Sequence, residues 1–305
     1  MRKCLITGSE GFVGQYVTKK FLDEGYKVFG IDNLSKYGVS KVATHSNYQF
    51  LKHDLTLGNT TPLVNTIDPD VVIDLAEDVG GISYLNEKPN NKLISSLNIR
   101  YNFLSGLRKS CRYVCISSSC VYERVYTSPT PELDLLDLPT PFSPYALSKY
   151  NAEYISCFWA GNVSVARLFN VAGRGDDHPT KGHVIADLVR KFKNCGGKPV
   201  TLVGDGQQFR NFTHGEDIAD ALYLIAHDVP GHTYNVGHPN NTFRIWDLAV
   251  RIAEKVGINS GLGTSSNPIH NIRVSQPCIA KLQTLGYKPK WDMERILNEA
   301  VEYYV

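Results

Sequence analysis

The sequence contains neither a long apolar run nor an excess of charge of one sign. Its 305 residues include 32 Lys and Arg against 30 Asp and Glu, a formal net charge of +2. No stretch approaches the roughly 18 apolar residues of a membrane span, and no apolar signal core follows Met1. The dispersed charges form no basic stripe suited to a nucleic-acid backbone. We therefore expect a cytoplasmic protein with no membrane or nucleic-acid partner.

Cysteine is scarce and scattered. The seven cysteines are odd in number and lie apart in a long chain, which favours reduced thiols over a disulfide framework. Cys111 and Cys115 lack histidine or cysteine neighbours at the spacing of a zinc site, so we expect no metal centre. With 42% hydrophobic residues, the chain can nevertheless bury the large core of a folded enzyme.

Strand and helix patterns alternate through the first half of the chain. Short apolar runs rich in β-branched residues are typical of strands buried on both faces of a sheet. They begin near Lys3, Lys27, Tyr48, Val71, Tyr113 and Val163, with helical stretches near residues 12–24, 91–109 and 145–160. This alternation predicts an α/β fold of the Rossmann type, with a doubly wound parallel sheet.

Beyond Leu168 the pattern loosens. A Gly/Pro/Asp-rich loop is followed by a helix from about His183, short strands, helices near Glu216 and Arg244, and an amphipathic segment at the end of the chain. This half predicts a smaller mixed α/β lobe for the substrate. We place the boundary near residue 170, giving parts 1–170 and 171–305 that interleave, as the halves of such folds often do.

Three glycines follow the first predicted strand and open the first helix. Gly8, Gly11 and Gly14 have the spacing that permits a tight turn, close approach of a pyrophosphate and close packing of helix on strand. A glycine-rich turn without function is the alternative, and the flanking strand and helix disfavour it. The sequence therefore predicts a dinucleotide site.

Asp32 ends the second strand about twenty residues after the glycines. A carboxylate there accepts hydrogen bonds from the adenosine ribose and repels a 2′-phosphate, which favours NAD over NADP. Lys36 lies near enough to keep NADP open as an alternative. The cofactor contacts expected from these two segments are Gly8, Gly11, Phe12, Val13, Gly14, Asp32 and Asn33.

Tyr145 and Lys149 lie four residues apart in a predicted helix, so their side chains share one face. A nearby ammonium and a cationic nicotinamide lower the pKa of a phenol, which makes Tyr145 a candidate general base. Ser118, at the end of the fifth strand, is placed to share the hydrogen bond to a substrate hydroxyl. Together with the glycine loop, this set predicts hydride transfer to NAD.

Over nearly its full length the chain resembles the extended short-chain dehydrogenase/reductases, the nucleotide-sugar epimerase/dehydratase family. The resemblance rests on short motifs: TGSEGFVG at 7–14, Asp54-Leu55, Leu75-Ala76, SSSCVY at 117–122, SPYALSK at 143–149, RLFN at 167–170 and Arg210 in GQQFRNF. It implies that 1–170 bind NAD, that 171–305 bind a GDP- or UDP-linked sugar, and that the protein is a homodimer built around two helices flanking the active site.

The resemblance also assigns residues. It identifies Ser118 as the catalytic serine and implies adenine contacts at Asp54 and Leu55. It extends the cofactor site to Leu75, Ala76, Tyr145 and Lys149, and it assigns to the substrate Asn170, His183, Val184 and Arg210.

Three features look most like the GDP-mannose 3,5-epimerase and GDP-fucose synthase branches: the turn at 79–82, Cys120 two residues after Ser118, and His183 before Val184. In GDP-fucose synthases, a cysteine and a histidine at matching positions exchange ring protons beside a 4-keto group. Cys120 and His183 are therefore candidate acid/base residues. The alternatives are a small buried hydrophobe for Cys120 and a helix-start residue contacting diphosphate for His183.

The sequence also departs from the family that it resembles. Sugar 4,6-dehydratases carry an Asp-Glu pair where this chain has 119–120 as Ser-Cys, which disfavours ordinary 4,6-dehydration. Asp32 argues against a dedicated NADPH reductase. Glu77, Asp78 and Glu123 stand where the family commonly has small or apolar residues, and each is either an extra acid/base or a solvated loop carboxylate.

We therefore expect an NAD-dependent nucleotide-sugar epimerase that works through a transient 4-keto sugar. The alternatives are a dehydratase of unusual regiochemistry using Cys120 and Glu123, and a 4-epimerase without ring deprotonation. A non-catalytic NAD sensor on the same fold is a hypothesis of a different class. The complete Ser118, Tyr145 and Lys149 set disfavours the sensor, and turnover with bound NAD distinguishes the two.

Overall fold

The computed structural model describes residues 1–85, 89–159, 161–265 and 272–305. The strands in chain order are β1 (Lys3–Thr7), β2 (Lys27–Asp32), β3 (Tyr48–Lys52), β4 (Val71–Asp74), β5 (Arg112–Ser118), β6 (Asn162–Leu168), β7 (Asn170–Ala172), β8 (Val200–Leu202), β9 (Phe209–His214), β10 (Thr233–Val236), β11 (Thr242–Arg244), β12 (Leu262–Thr264) and β13 (Val274–Ser275). Seven of them form one sheet in the order β3-β2-β1-β4-β5-β6-β10, and all its neighbours are parallel. This is the strand order of a doubly wound dinucleotide-binding fold.

Helices cover both faces of the large sheet. In chain order they are α1 (Phe12–Asp23), α2 (Thr61–Ile67), α3 (Ile82–Leu85), α4 (Pro89–Leu104), α5 (Pro144–Trp159), α6 (Val184–Asn194), α7 (Gly215–His227), α8 (Ile245–Val256), α9 (Ala280–Gln283) and α10 (Met293–Tyr304). Successive strand residues point to opposite faces. Ile6 therefore packs with α1 and α7, whereas Leu5 packs with α2, α4 and α5. None of the helices described is long and apolar enough to cross a membrane.

The smaller part of the molecule has mixed sheets of its own. Strand β9 pairs in parallel with β7 and β13 and in antiparallel with β11, while β8 and β12 form a parallel pair. Helices α6, α8 and α10 bury their apolar faces against each other, with Phe192, Leu248 and Leu297 fully enclosed. The prediction of a Rossmann-type sheet with a smaller mixed lobe is confirmed.

The chain passes between the two parts more than once. Strand β10 and helix α7 follow residue 170 and yet join the large sheet, where β10 pairs with β6 and α7 packs beside α1. The division into 1–170 and 171–305 therefore stays a proposal about function. The helix expected to reach Lys109 ends at Leu104. A Cβ on Gly106 would lie 2.8 Å from Cα of Thr61, so the backbone turns there against α2.

Candidate active site

The glycine loop at the end of β1 leaves its backbone open to a bound group. Gly8 has a left-handed φ of +66°, and a Cβ there would lie 3.0 Å from backbone atoms of Ala76. A Cβ on Gly14 would lie 2.0 Å from the carbonyl oxygen of Gly8, so glycine is needed for α1 to pack on the loop. Gly11 is the N-cap residue of α1, which begins at Phe12. This cradle fits the pyrophosphate of NAD at a helix N-terminus.

Asp32 lies beside this loop and is held by backbone amides. Its Oδ2 accepts from the amide of Glu10 at 3.1 Å and its Oδ1 from the amide of Leu34 at 2.7 Å. Burial raises the pKa of the Asp32 carboxyl, and these amides act in the opposite direction. Nearby, Nδ2 of Asn33 donates to Oδ2 of Asp54 at 3.2 Å. The fold therefore gathers Asp32, Asn33 and Asp54 at one edge, as an adenosine site requires.

The apolar residues predicted for the cofactor site surround the same edge of the sheet. Leu55 is buried, and Val13 and Leu75 pack against the core that α1 covers. The amide of Ala76 donates to Oγ1 of Thr7 at 3.0 Å, which fixes the segment after β4 against the glycine loop. Their individual contacts with NAD stay predictions.

Glu10, within the loop, has a role that the glycine motif does not predict. Its side chain is buried and accepts from the amides of Lys41 and Val42 at 2.6 and 2.8 Å and from the Tyr48 hydroxyl at 2.6 Å. A carboxylate in a phosphate-binding loop must be turned away from the phosphates, and that conflict is the signal visible in the sequence. Glu10 thereby fixes the segment that follows β2.

Ser118, Cys120 and Tyr145 come together at the end of β5. The amide of Cys120 donates to Oγ of Ser118 at 3.2 Å, and Tyr145, in the first turn of α5, is hydrogen-bonded to the same serine side chain. Burial, together with the charges of Cys120 and Glu77, raises the pKa of Tyr145, whereas Ser118 and Arg100 lower it. The phenol is therefore neutral in the protein alone.

Lys149 follows one turn later on α5. Its Nζ donates to the carbonyl oxygen of Ile116 at 3.1 Å and lies 2.9 Å from Oε2 of Glu77. The Glu77 side chain is only 4% exposed and also pairs with Nη1 of Arg100 at 3.0 Å. Glu77 is thus a buried ionic partner of Lys149 and not a solvated loop carboxylate. Arg100 lies on the buried face of α4 with Ile99 and Phe103, and an arginine at such a position is the sequence signal for this arrangement.

Glu123 anchors the start of α5. Its Oε2 accepts from the amides of Phe142 and Ser143 at 2.8 and 2.9 Å, immediately before the helix begins at Pro144. Free amides at a helix N-terminus favour such a carboxylate. The geometry therefore disfavours an additional acid at Glu123, and in place of a solvated loop carboxylate it shows a residue that fixes the start of the helix carrying Tyr145.

Strand pairing places Asn170 and Arg210 on neighbouring strands of the smaller lobe, β7 and β9. Nδ2 of Asn170, at the start of β7, donates to the carbonyl oxygen of Asn211 in β9 at 3.0 Å. Nη1 of Arg210 donates to the carbonyl oxygen of Ile272 at 2.6 Å. Burial lowers the pKa of Arg210 to about 10, while the sulfur of Cys120 raises it. Arg210, from the smaller lobe, therefore interacts through its charge with Cys120 in the cluster around Ser118.

His183 is the N-cap residue of α6, and Val184 is the first residue of that helix. Its Nδ1 lies 3.1 Å from Oδ2 of Asp176, and its ring packs on Phe12 with centroids 5.5 Å apart. Burial raises the pKa of Asp176, but the opposing effects of His183 and Lys36 are larger, and the pKa falls to about 2. His183 thus lies beside the glycine loop, and its role toward a sugar stays a prediction.

The turn after β4 closes against the smaller lobe. A Cβ on Gly81 would lie 2.4 Å from the carbonyl oxygen of Gly182, so the two backbones touch. Asp78 accepts from the Tyr84 hydroxyl at 2.5 Å and lies 3.7 Å from Nζ of Lys181, with 43% of its side chain exposed. This fits the interpretation of Asp78 as a solvated carboxylate, here one that joins the lobes.

The parallel sheet, the glycine loop with Asp32, and the Ser118, Tyr145 and Lys149 cluster define an NAD-dependent enzyme of the extended short-chain dehydrogenase/reductase class. The chain belongs to the NAD dependent epimerase/dehydratase family, whose model matches residues 4–237. The predictions of family, enzyme class and cofactor are confirmed.

Similar proteins with curated descriptions cover nearly the whole chain. UDP-glucuronic acid decarboxylase 1 of Xenopus tropicalis is 27% identical over 99% of this chain and 72% of its own length. A putative GDP-L-fucose synthase 2 of Arabidopsis thaliana is 28% identical over 99% of this chain and 92% of its own. A putative UDP-glucose 4-epimerase of Methanocaldococcus jannaschii is 27% identical over 98% and 97%.

Solved structures share the fold over its full extent. A UDP-glucose 4-epimerase of Thermotoga maritima, solved with UDP-glucose, superposes with a TM-score of 0.84 at 24% identity, over 99% of this chain and 98% of that one. A UDP-N-acetylglucosamine 4-epimerase of Methanobrevibacter ruminantium, in complex with UDP-N-acetylmuramic acid, gives 0.82 at 25% identity over the same shares.

Proposed function

We propose that this chain is a nucleotide-sugar epimerase that oxidises its substrate at C4 and works through a transient 4-keto sugar. The observation that carries the proposal is the cluster at the end of β5. The Ser118 side chain is hydrogen-bonded both to Tyr145 and to the backbone of Cys120. A base for the C4 hydroxyl and a thiol for a neighbouring ring carbon thus lie side by side. NAD, when bound, supplies the hydride acceptor.

Tyr145 takes the proton of the C4 hydroxyl, and Ser118 shares the hydrogen bond to that oxygen. Lys149 is held by Ile116 and Glu77 one turn further along α5, so its charge stays on the face that Tyr145 presents. Because burial keeps the free phenol neutral, Tyr145 becomes a base only when positive charge enters the site. This couples deprotonation of the sugar to the presence of oxidised cofactor.

Cys120 and His183 exchange the ring proton next to the ketone. Oxidation at C4 acidifies the adjacent C–H bonds, which no side chain can deprotonate in the parent sugar. Burial raises the pKa of the Cys120 thiol, and Ser118 and Arg210 act against this by stabilising the thiolate. His183 enters from the smaller lobe at the start of α6. Inversion needs a proton donor on the face of the sugar ring opposite the base. We therefore assign Cys120 and His183 to opposite faces of the ring.

The substrate is a nucleoside diphosphate sugar, linked to UDP or GDP. Arg210 and Asn170 supply a cation and an amide from paired strands of the smaller lobe, the groups that a diphosphate and its ribose require. Val184 lies at the start of α6, where helix amides favour an anion. Proteins similar to this chain are named as a UDP-glucuronic acid decarboxylase, a putative UDP-glucose 4-epimerase and a putative GDP-L-fucose synthase, and each of these names contains a UDP- or GDP-linked sugar.

The dehydratase alternative is weakened by Glu123, whose Oε2 is engaged by two backbone amides and therefore serves α5. The sensor alternative is weakened by the assembled cluster of Ser118, Tyr145 and Cys120. A 4-epimerase that only rotates its keto-sugar differs from our proposal in two respects, because it inverts C4 itself and exchanges no ring proton.

The test is incubation of the NAD-loaded protein with a panel of UDP- and GDP-sugars in deuterated water, followed by product mass and configuration. We expect one deuterium in an inverted product. Loss of water identifies a dehydratase, and inversion at C4 without deuterium identifies a rotating 4-epimerase. Either result contradicts the proposed ring-proton exchange.

Variants locate the exchange. In Cys120→Ser we expect hydride transfer to bound NAD, seen as nicotinamide absorbance, with exchange of ring hydrogen suppressed by about 10²-fold or more. In His183→Asn we expect residual exchange on one face and no inverted product. Normal epimerisation by both variants contradicts the two-residue assignment.

We also propose that the protein is a homodimer joined through α4 and α5. These neighbouring helices expose large apolar side chains: Ile94 at 56%, Tyr101 at 73%, Tyr154 at 51% and Phe158 at 80%. Two copies of such a helix pair bury their apolar stripes as a four-helix bundle about a two-fold axis.

Sedimentation of Phe158→Glu tests the dimer. We expect a dimer for the unmodified protein and a monomer for the variant, because a buried charge opposes the bundle. Leu136→Glu is the matched control, since Leu136 is 82% exposed and lies outside both helices. A monomeric unmodified protein at all concentrations contradicts the proposal.

A further inference from the structure

We propose that Glu77 is a positioning residue for the reaction, which through a buried ionic chain fixes the ammonium of Lys149 and sets the charge felt by Tyr145. The inference rests on the proposed function for the role of Tyr145 as base. We call the series Lys149, Glu77, Arg100 and Asp74 the Glu77 chain. Neither the glycine motif nor the Ser118, Tyr145 and Lys149 pattern contains its last three members.

Glu77 is the centre of the chain. Its Oε2 lies 2.9 Å from Nζ of Lys149 and 3.0 Å from Nη1 of Arg100, and it accepts from Oγ of Ser96 at 3.1 Å. The side chains of Glu77, Lys149 and Arg100 are 4%, 6% and 0% exposed. The buried carboxylate of Glu77 is stabilised by the two buried cations beside it. Removing it would leave the positive charges of Lys149 and Arg100 with less compensation inside the protein.

The far end of the chain is tied to the sheet. Nε of Arg100 lies 3.1 Å from Oδ2 of Asp74. Asp74 also accepts from Oγ1 of Thr7 and from the Tyr113 hydroxyl, both at 2.6 Å. Signs alternate along the chain, and the anchoring residues lie on β1, β4 and β5. The Glu77 chain therefore connects Thr7, which precedes the glycine loop, to Lys149 through buried groups with little freedom to move.

This arrangement has a consequence for the base. An isolated ammonium beside a phenol favours the phenolate, but here the carboxylate of Glu77 balances the ammonium of Lys149. The groups that act on Tyr145 are Cys120 and Ser118 from the end of β5, Glu77 after β4 and Arg100 on α4, and Lys149 follows Tyr145 by one turn on α5. Burial, Cys120 and Glu77 raise the pKa of Tyr145, while Ser118 and Arg100 lower it.

Two substitutions should therefore move the ionisation of Tyr145 in opposite directions. Glu77→Gln keeps the size of the side chain and removes a negative charge, so we expect the phenol to ionise at a pH lower by about one unit or more. Arg100→Gln removes a positive charge from the same chain, so we expect ionisation at higher pH. A purely structural role predicts no such opposition.

The measurement uses the NAD-loaded protein with a fluorinated tyrosine of intrinsically low pKa incorporated at position 145. The ¹⁹F resonance is followed through a pH titration without any sugar present. Asp78→Asn is the matched control, because it removes the adjacent carboxylate, which is 43% exposed, and we expect it to leave the midpoint unchanged. A Glu77→Asp variant keeps the charge and should return the midpoint toward that of the unmodified protein.

The double variant Glu77→Gln/Arg100→Gln keeps the buried charges balanced between Lys149 and Asp74, so it serves if Glu77→Gln alone does not fold. We expect its midpoint to lie below that of Arg100→Gln, because the two variants differ only in the carboxylate of Glu77. A midpoint equal to or above that of Arg100→Gln contradicts the proposal. An unchanged midpoint in Glu77→Gln, or a shift in the same direction for both substitutions, overturns the proposal.

The outcome is independent of turnover. If the midpoints move in opposite directions and no UDP- or GDP-sugar reduces bound NAD, the proposal for Glu77 stands and the proposed function fails. If nucleotide sugars are epimerised with pH profiles that Glu77→Gln leaves unmoved, the function stands and the proposal for Glu77 fails.

Discussion

Two buried ionic clusters in this molecule each contain an arginine–glutamate pair, and they differ in the groups to which that pair is connected. In the first, Arg167 on β6 meets Glu153 on α5 through two parallel contacts, Nε to Oε1 at 3.0 Å and Nη2 to Oε2 at 2.8 Å. In the second, the Glu77 chain, each charged group touches the next in line and the last is Lys149. The first cluster is closed, whereas the second ends in the active site.

The difference indicates what each cluster contributes. The remaining donors of Arg167 go to the Tyr122 hydroxyl at 2.8 Å and the carbonyl oxygen of Leu133 at 2.7 Å, so the pair is satisfied within the fold and holds α5 to the sheet. The Glu77 chain also lies within the fold, but the carboxylate of Glu77 pairs with Lys149, one helical turn from Tyr145. The Arg167–Glu153 pair thus fixes the position of α5, whereas we propose that the Glu77 chain also sets the ionisation of Tyr145.

The largest effect is expected at Tyr145, one helical turn from the Lys149 end of the Glu77 chain. Tyr145→Phe removes the general base, so we expect the rate of NAD reduction by a nucleotide sugar to fall by about 10²- to 10⁴-fold. The affinity for NAD, measured by calorimetry, should change little, because the phenol contributes little to holding the dinucleotide. Near-normal turnover would mean that the base lies elsewhere, with Glu123 the first alternative to test.

Breaking the Arg167–Glu153 pair should affect the stability of the protein. Glu153→Ala leaves the guanidinium of Arg167 buried and unpaired, so we expect the free energy of unfolding in urea to fall by about 3–5 kcal/mol. Asp23→Asn is the control, because it breaks an ion pair whose side chains are 73% and 58% exposed, and such pairs contribute about 0–1 kcal/mol. Equal losses in the two variants would remove the distinction between a buried closed pair and a surface pair.

The smallest effect is expected at the cofactor edge, outside both clusters. We predict that NAD is preferred over NADP because Asp32 places a negative charge against a 2′-phosphate. Asp32→Ala should narrow the ratio of the two dissociation constants by about tenfold, or about 1.4 kcal/mol. Equal affinity of the unmodified protein for the two cofactors contradicts the assignment of Asp32.

The sequence predicted what is encoded locally. The spacing of Gly8 and Gly14 implies the close approach seen at α1, and the four-residue separation of Tyr145 and Lys149 places both on one helix. The alternation of short apolar runs with helices predicted the parallel sheet. Each of these inferences needs only neighbouring residues and the preferred geometry of one element.

The rest depends on residues that meet only after folding. Lys149 and Glu77 are joined because β4 and β5 are neighbours in the sheet, and Arg100 joins them because α4 packs beside α5 on one face. Likewise, β10 lies in the smaller half of the sequence but pairs with β6. A single sequence shows that Glu77 is unusual but not which cation balances it.

In the proposed reaction, NAD is reduced and reoxidised within one catalytic cycle at the cluster of Ser118, Tyr145 and Lys149. The most direct measurement is stopped-flow mixing of the NAD-loaded protein with each member of the nucleotide-sugar panel while nicotinamide absorbance is recorded. For the true substrate, we expect the absorbance to rise and then settle at a low steady level while epimer forms, with no net NADH. Absence of any transient across the panel, or release of one NADH for each product as in a dehydrogenase, would contradict it.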